Sequence, residues 1–347
     1  MTKVLLALLK IGGSVAIIAY LVYQAQKSTA FTDLRDQPKQ WDLLAAASAL
    51  LAASLLLTIV RWLYLVRALE IPFTFKDALR LGFVGYLFNL APLGIVGGDL
   101  VKGLMLAREN PGRRTKAFAS IIVDRLIGLY LLIVIASIGV VVTGLWWQAP
   151  RNVCLVCVGT VIVTALSTVV VVWLLMPAFT EGRFAAWLCR WPRIGHHLAN
   201  LIDAVRLYRR SPGVLILSTI LTVGVHTFTT LSIYLIARGL PGSAQSLATH
   251  FVIVPVAMVA ACFPLPMGPF EAALALLYAS IPGPAGVAVT WGKGAVVALA
   301  YRILTVFVAG VGMCYYLGSR REVTEVLHEA EDGGDEEAVT GTMAPCR

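Results

Sequence analysis

Two short stretches of this chain set glycine, proline and a carboxylate inside apolar sequence: Ala91-Pro92-Leu93-Gly94-Ile95-Val96-Gly97-Gly98-Asp99 and Phe263-Pro264-Leu265-Pro266-Met267-Gly268-Pro269-Phe270-Glu271. Each ends in an acid, and each is followed, 26 and 31 residues on, by an arginine in an otherwise apolar run, Arg125 and Arg302. A guanidinium offers a planar fork that holds phosphate or carboxylate bidentately. Half-helix N-termini around Gly97, Gly98 and Gly268 would add backbone N–H donors for an anion. Asp99 and Glu271 can hold the arginines when no substrate is present, or accept a cationic headgroup or a proton. Unpaired charge at bilayer depth costs about 2.5 to 3.5 kcal/mol on insertion scales, so four such groups need pairing, a substrate, or both. Broken helices and intramembrane ions that occur twice are what an inverted-repeat transporter looks like from sequence.

Composition places these groups in a membrane. Of the residues 59% are hydrophobic and only 14% charged, with a mean hydropathy of +0.82, whereas soluble domains are about 25% charged. The apolar runs are too long for a membrane β-barrel, whose strands alternate over about ten residues. The expected fold is therefore an all-α polytopic bundle. Runs at 4–23, 43–66, 117–146, 153–176, 214–237 and 291–317 each exceed or match the roughly 20 residues that cross a bilayer, which gives six expected spans. Two further stretches, 79–106 and 247–281, are cut by the Pro and Gly clusters and read as pairs of half-length helices. With the N-terminus inside and both broken stretches re-entrant, 17 Lys and Arg fall in or beside internal loops, against five in external ones. That asymmetry obeys the positive-inside rule and explains the net charge of +9 without nucleic acid. The alternative is eight full crossings. In the hairpin reading the first hairpin enters from the cytoplasmic side and the second from the outer side, and both termini are cytoplasmic.

The depth of the charges follows from helical rise. A helix starting at Ala117 puts Arg125 about 12 Å in, and Arg302 lies about 16 Å into the last span, at 1.5 Å per residue. The bland alternative pairs Asp99 with Lys102, and Asp124 with Arg125, as structural ion pairs at helix ends. His226 sits alone inside a span, where a satisfied polar contact competes with a proton relay. Lys3 and the apolar run after it could be taken for a signal peptide, but Lys10 interrupts that run and no small-x-small site sits at the right distance before Tyr23, so a signal anchor is expected. Residues 1–321 then form one membrane domain, and the acidic segment 322–347 reads as a disordered tail. The loop at 177–212, with Trp187 and Trp191, suits an interfacial amphipathic helix or a solvated loop. Cys154 and Cys157 have half a zinc-site spacing but no second pair, and read as buried small hydrophobes.

Enzymatic signatures are scarce. Gly98-Asp99-Leu100-Val101-Lys102-Gly103-Leu104 lacks the Lys-Ser or Lys-Thr of a phosphate-binding loop, and neither H-E-x-x-H nor G-x-S-x-G occurs. No nucleotide, metal or other cofactor is expected.

Four blocks in order, Leu93 through Lys102, Val123-Asp124-Arg125-Leu126-Ile127-Gly128, Phe263 through Ala272, and Tyr301-Arg302, resemble the membrane domain of the lysylphosphatidylglycerol synthase and flippase family. The resemblance implies a phospholipid flippase-like domain with Asp99, Arg125, Glu271 and Arg302 in a central cavity. Bifunctional members continue into a second membrane block and a cytoplasmic aminoacyl-transferase domain, so lysyl transfer is not expected of this polypeptide. Pro269 also stiffens a turn where the family is richer in glycine.

Two function classes remain open. One is a lipid flippase in the inner membrane, handling a phospholipid or lipid-linked headgroup with Gly97, Gly98, Asp99, Arg125, Gly268, Glu271 and Arg302, and with Lys102, Asp124, His226 and Tyr301 as secondary candidates. The other is an intramembrane lipid-modifying transferase or its accessory subunit, with the carboxylates as acid and base. The expected partners are the bilayer and the lipid, with a second copy of the chain or a separate lipid-modifying enzyme left open.

Overall fold

The computed structural model describes residues 2–28, 30–90, 94–176, 202, 205–263, 265, 267–283 and 289–318. All regular structure among them is helical. Helices α1 (Thr2–Lys27) and α2 (Ala30–Asp36) precede a set of four: α3 (Trp41–Ala68), α4 (Phe75–Phe88), α5 (Gly94–Glu109) and α6 (Arg114–Thr143). After the short α7 (Leu145–Gln148) and α8 (Arg151–Leu175) comes a second set of four: α9 (Pro212–Gly239), α10 (Leu247–Ala260), α11 (Pro269–Ser280) and α12 (Trp291–Gly318). Each set runs long, short, short, long.

The punctuation is local chemistry. A capping box starts α4: the Asp77 amide donates to Thr74 Oγ1 at 3.2 Å while the Thr74 amide donates to the Asp77 carboxylate at 3.1 Å. Gly144 in the left-handed region, φ 66°, ends α6. Pro269 occupies the first turn of α11 behind Gly268, whose φ of 110° only glycine adopts freely.

Among the described residues five helices are long and apolar enough to cross a membrane: α3, α6, α8, α9 and α12. They coincide with five of the six runs read from sequence. The sixth, 4–23, lies in α1 and is not among them. The part of α1 whose surroundings are described begins at Leu9 and takes in Lys10, Gly12, Gly13 and Ser14. Most of the 177–212 loop, with Trp187 and Trp191, and the whole 322–347 tail lie outside the described residues.

The two sets meet along α3 and α9, which run antiparallel. The Gln40 amide donates to Gly239 O at 3.0 Å, Ser232 Oγ to Ala47 O at 2.7 Å, and Arg61 Nη1 to Thr222 Oγ1 at 2.9 Å. Between them, the Ser54 and Thr229 hydroxyls are 2.7 Å apart. Both short pairs are antiparallel hairpins. In the first, Arg80 binds Glu109 at the base and Gly98 packs against Asn89 near the tip. In the second, Gln245 Nε2 donates to Ile281 O at 2.8 Å, and His250 Nε2 lies 2.5 Å from Tyr278 Oη.

The hairpins open at opposite ends of the bundle. Beside the base of the first, Arg113 donates to Glu70 O, past the C-terminal end of α3. Beside the base of the second, Lys293 Nζ donates at 2.7 Å to both Leu240 O and Pro241 O, next to the N-terminal end of α3. The long helix of each set packs on the hairpin of the other. Gly139 of α6 faces Phe251 and Val252 of α10, and Gly312 of α12 faces Phe83 and Leu87 of α4. Phe83 and Tyr315 stack alongside with centroids 5.5 Å apart. Helix α8 attaches to α6 through hydroxyls, Ser137 to Thr164 at 2.8 Å and Tyr130 to Thr168 at 3.1 Å, and leaves Leu155, Leu166 and Val169 exposed. Cys154 and Cys157 are free thiols on α8, and Cys157 is buried.

A Cβ at Gly312 would stand 3.2 Å from Leu87 Cβ and closer still to the Phe83 carbonyl, whereas one at Gly310 would meet nothing within 4 Å. Gly312→Ala should therefore destabilise the protein in detergent by about 1 to 3 kcal/mol through overpacking, and Gly310→Ala should be neutral or slightly stabilising. Thermal unfolding of both variants checks this; equal midpoints would mean that α12 does not sit on α4 as described.

Candidate functional site

The two carboxylates picked out by the broken motifs occupy equivalent places. Asp99 is on the second helix of the first hairpin and Glu271 on the second helix of the other. Each meets an arginine from the long helix that follows. Arg125 of α6 grips Asp99 in a fork, Nε on Oδ2 and Nη2 on Oδ1, the latter at 2.8 Å. Arg302 of α12 meets Glu271 side-on through a single oxygen: Nε and Nη2 both lie 2.5 Å from Oε1. Such pairing is what bilayer depth demands, since a carboxylate or guanidinium stripped of water needs a charged, hydrogen-bonded partner.

The halves differ in what else they hold. Asp99 also takes Lys102, one turn on in α5, with Nζ 3.1 Å from Oδ1. The Lys102 ammonium in turn lies 5.2 Å from the centre of the Trp62 ring. One acid thus serves two cations. Glu271 serves one, and its other oxygen accepts the Gly268 amide at 2.8 Å. This corrects the sequence expectation that the N-terminus of α11 offers a free donor for an anion: the Glu271 side chain folds back and caps it. Gly97 and Gly98 are buried and do not line the cavity described below. Gly98 lets α5 approach α4, because a Cβ there would collide with the Gly85 carbonyl and the Asn89 side chain.

A third pair was not anticipated. Arg61 of α3 binds Asp124 of α6 through two parallel bonds, Nε to Oδ1 at 2.7 Å and Nη2 to Oδ2 at 2.9 Å, and both side chains are only 6% exposed. The remaining amino group of Arg61 reaches Thr222 of α9, so the pair ties three long helices. Asp124 does not pair with Arg125: adjacent helical residues diverge by about 100°, and Asp124 turns inward while Arg125 turns to Asp99. The signal for Arg61 was a charged residue inside the 43–66 run, which by its depth deserved the weight given to Arg125.

These groups surround a cavity of about 350 Å³ between the two sets of helices, lined by Arg61, Lys102, Asp124, Arg125, Glu271 and Arg302 among others. Gly268, Tyr301 and His226 also line it. Tyr301 is 9% exposed, and His226 Nε2 lies 3.0 Å from Gly128 O. Four cations and two carboxylates line one space, while Asp99, which was expected in the cavity, is not in its lining and stands behind Arg125 and Lys102; the surplus of cations suits the space to an anion.

A family model described as the lysylphosphatidylglycerol synthase TM region matches residues 4–312. No curated protein and no solved structure matches the chain.

Truncating one partner of a sealed pair strands the other, which costs about 3 to 5 kcal/mol, while replacing both with apolar groups of similar volume is close to neutral. Arg61→Met and Asp124→Leu should each sharply lower the unfolding midpoint, and the double variant should regain most of the loss. Thermal denaturation of the three variants gives the coupling; additive losses would show that the two side chains do not depend on one another.

Proposed function

Because the chain belongs to the lysylphosphatidylglycerol synthase transmembrane-region family, we propose that it is a flippase-like lipid transporter that carries a phospholipid or lipid-linked headgroup between leaflets without altering it chemically. The observation that carries this reading is the cavity: paired arginines and carboxylates from both halves face one space inside a bundle of membrane-length apolar helices. A headgroup phosphate needs positive partners along its path through a low-dielectric core, and Arg125, Lys102 and Arg302 supply them from two sides.

The topology we propose is six spans, α1 among them, with two re-entrant hairpins in an inner membrane and both termini in the cytoplasm. Helix lengths support the hairpins. At 1.5 Å per residue α4, α5, α10 and α11 measure about 21, 24, 21 and 18 Å, short of the roughly 30 Å hydrocarbon core. The antiparallel α3 and α9 and the oppositely opening hairpins fit an inverted repeat, in which the site lies where the repeats meet. Alternating access would then exchange the carboxylates between their arginines and solvent as the substrate phosphate takes their place. Asp99, Arg125, Glu271 and Arg302 carry this role, with Lys102, Asp124, His226 and Tyr301 shaping the wall.

The test is leaflet transfer in reconstituted vesicles. Arg302→Ala should abolish movement of an anionic or zwitterionic phospholipid while the protein stays folded, and Arg302→Lys, which keeps charge but loses the fork, should retain part of it. Undiminished transfer by folded Arg302→Ala would make Arg302 a structural counter-ion and misplace the site. A change in the mass of the lipid, in place of a change of leaflet, would turn the reading to a lipid-modifying transferase.

A further inference from the structure

Among the described residues that line the cavity, those exposed at its rim are Leu129 of α6 and Cys262, just past the end of α10. Arg125 lies one helical turn from Leu129, lines the same wall, and its side chain is 41% exposed, against 20% for Arg302 and 6% for Arg61. Phe263, next to Cys262, is 62% exposed, and Ile122 and Leu126 beside Arg125 are exposed as well. The cavity therefore has its mouth between α6 and the tip of the second hairpin, with an arginine set among apolar residues at the opening.

The depth of that mouth restricts what enters it. Arg125 and Leu129 lie about 16 and 22 Å along the roughly 45 Å of α6 at 1.5 Å per residue, so the opening gives onto hydrocarbon near mid-membrane and not onto water. A free ion has no route through hydrocarbon. A molecule whose tails stay in the bilayer while its head enters the cavity does. The head is matched by charge: on this side Asp99 is shared between Arg125 and Lys102, so an unbalanced cation stands at the entrance, whereas Arg302 deeper in has Glu271 to itself.

Resting on the transport reading above, we propose that the gap between α6 and residues 261–263 is a lateral portal for a phosphate-bearing lipid, and that Arg125 is the residue that binds its phosphate at entry while Asp99 is held by Lys102. Arg125 then releases Asp99 without leaving that carboxylate alone, which is the service Lys102 performs. The asymmetry gives a direction to the handover: the phosphate docks first at the half with surplus positive charge and meets Arg302 second.

Cys262 is a native reporter for this portal, and Cys314, exposed on α12 and not a cavity residue, is its internal control. The full chain is placed in nanodiscs of phosphatidylglycerol or of a phosphate-free diacylglycerol glycolipid, treated with N-ethylmaleimide, and the labelling of each thiol is read by mass spectrometry. Labelling of Cys262 should be about tenfold slower in phosphatidylglycerol, the scale of one charge-assisted contact, with Cys314 unaffected. The ratio between the two lipids should fall to one in Arg125→Gln and be partly kept in Arg125→Lys; comparing lipids within each variant cancels any effect of the guanidinium on the thiol. Equal labelling of Cys262 in both lipids, or protection that persists in Arg125→Gln, overturns the portal. Protection by glycerol 3-phosphate added to the phosphate-free discs would show a soluble anion as the ligand and overturn the lipid assignment. The readout needs no transport: protection without leaflet transfer keeps the portal and removes the flippase, and transfer without protection does the reverse.

Discussion

Charge that cannot reach water governs this molecule. Three carboxylates and four cations meet at the centre of a bundle whose described core is mainly apolar, and each acid is met by at least one guanidinium. The pairs decide which helices must touch: Asp99 brings the first hairpin to α6, Glu271 brings the second hairpin to α12, and Asp124 brings α6 to α3. Since apolar side chains gain little from leaving lipid for protein, such contacts, together with the close approaches at Gly98, Gly139 and Gly312, carry much of the specificity that a hydrophobic core supplies in a soluble fold.

The same constraint separates two kinds of buried ion. Arg61 and Asp124 stand in the cavity wall but match donor for acceptor, are almost wholly buried, and have a hydroxyl from a third helix to complete them, as a fixed joint would. Arg125 and Asp99 are partly open, and Asp99 has a second cation in reserve. An ion pair can give way to a substrate only where each member keeps a partner when they part, and the first half of the site meets that condition through Lys102.

Much of this was legible in the sequence because it leaves marks along the chain. The two Pro and Gly interruptions coincide with breaks between α4 and α5 and between α10 and α11, and the pairing of Arg125 and Arg302 with nearby carboxylates follows from the cost of isolated charge. The choice of partner was less legible. Asp124 stands next to Arg125 in sequence yet binds Arg61, 63 positions away, because helical geometry sends neighbours to different faces and only the packing of α3 on α6 brings the third pair together. Arg61 passed unnoticed since no glycine or proline flags it and it lies close to the basic end of its helix, where arginines commonly snorkel to the interface. The Gly268 amide misled for a related reason: a helix N-terminus looks like an anion site until the residue three positions on claims it.

Lys293 raises a matter of timing. Its ammonium binds the carbonyls of Leu240 and Pro241, groups just past the end of α9 that lack the downstream helical amides to satisfy them. The donor is encoded more than fifty residues later, on the last long helix. During synthesis α9 therefore enters the membrane with its C-terminal end unfinished, and α12 completes it only after the second hairpin has been made. A helix made well after α9 thus doubles as the clasp that closes the second half of the protein.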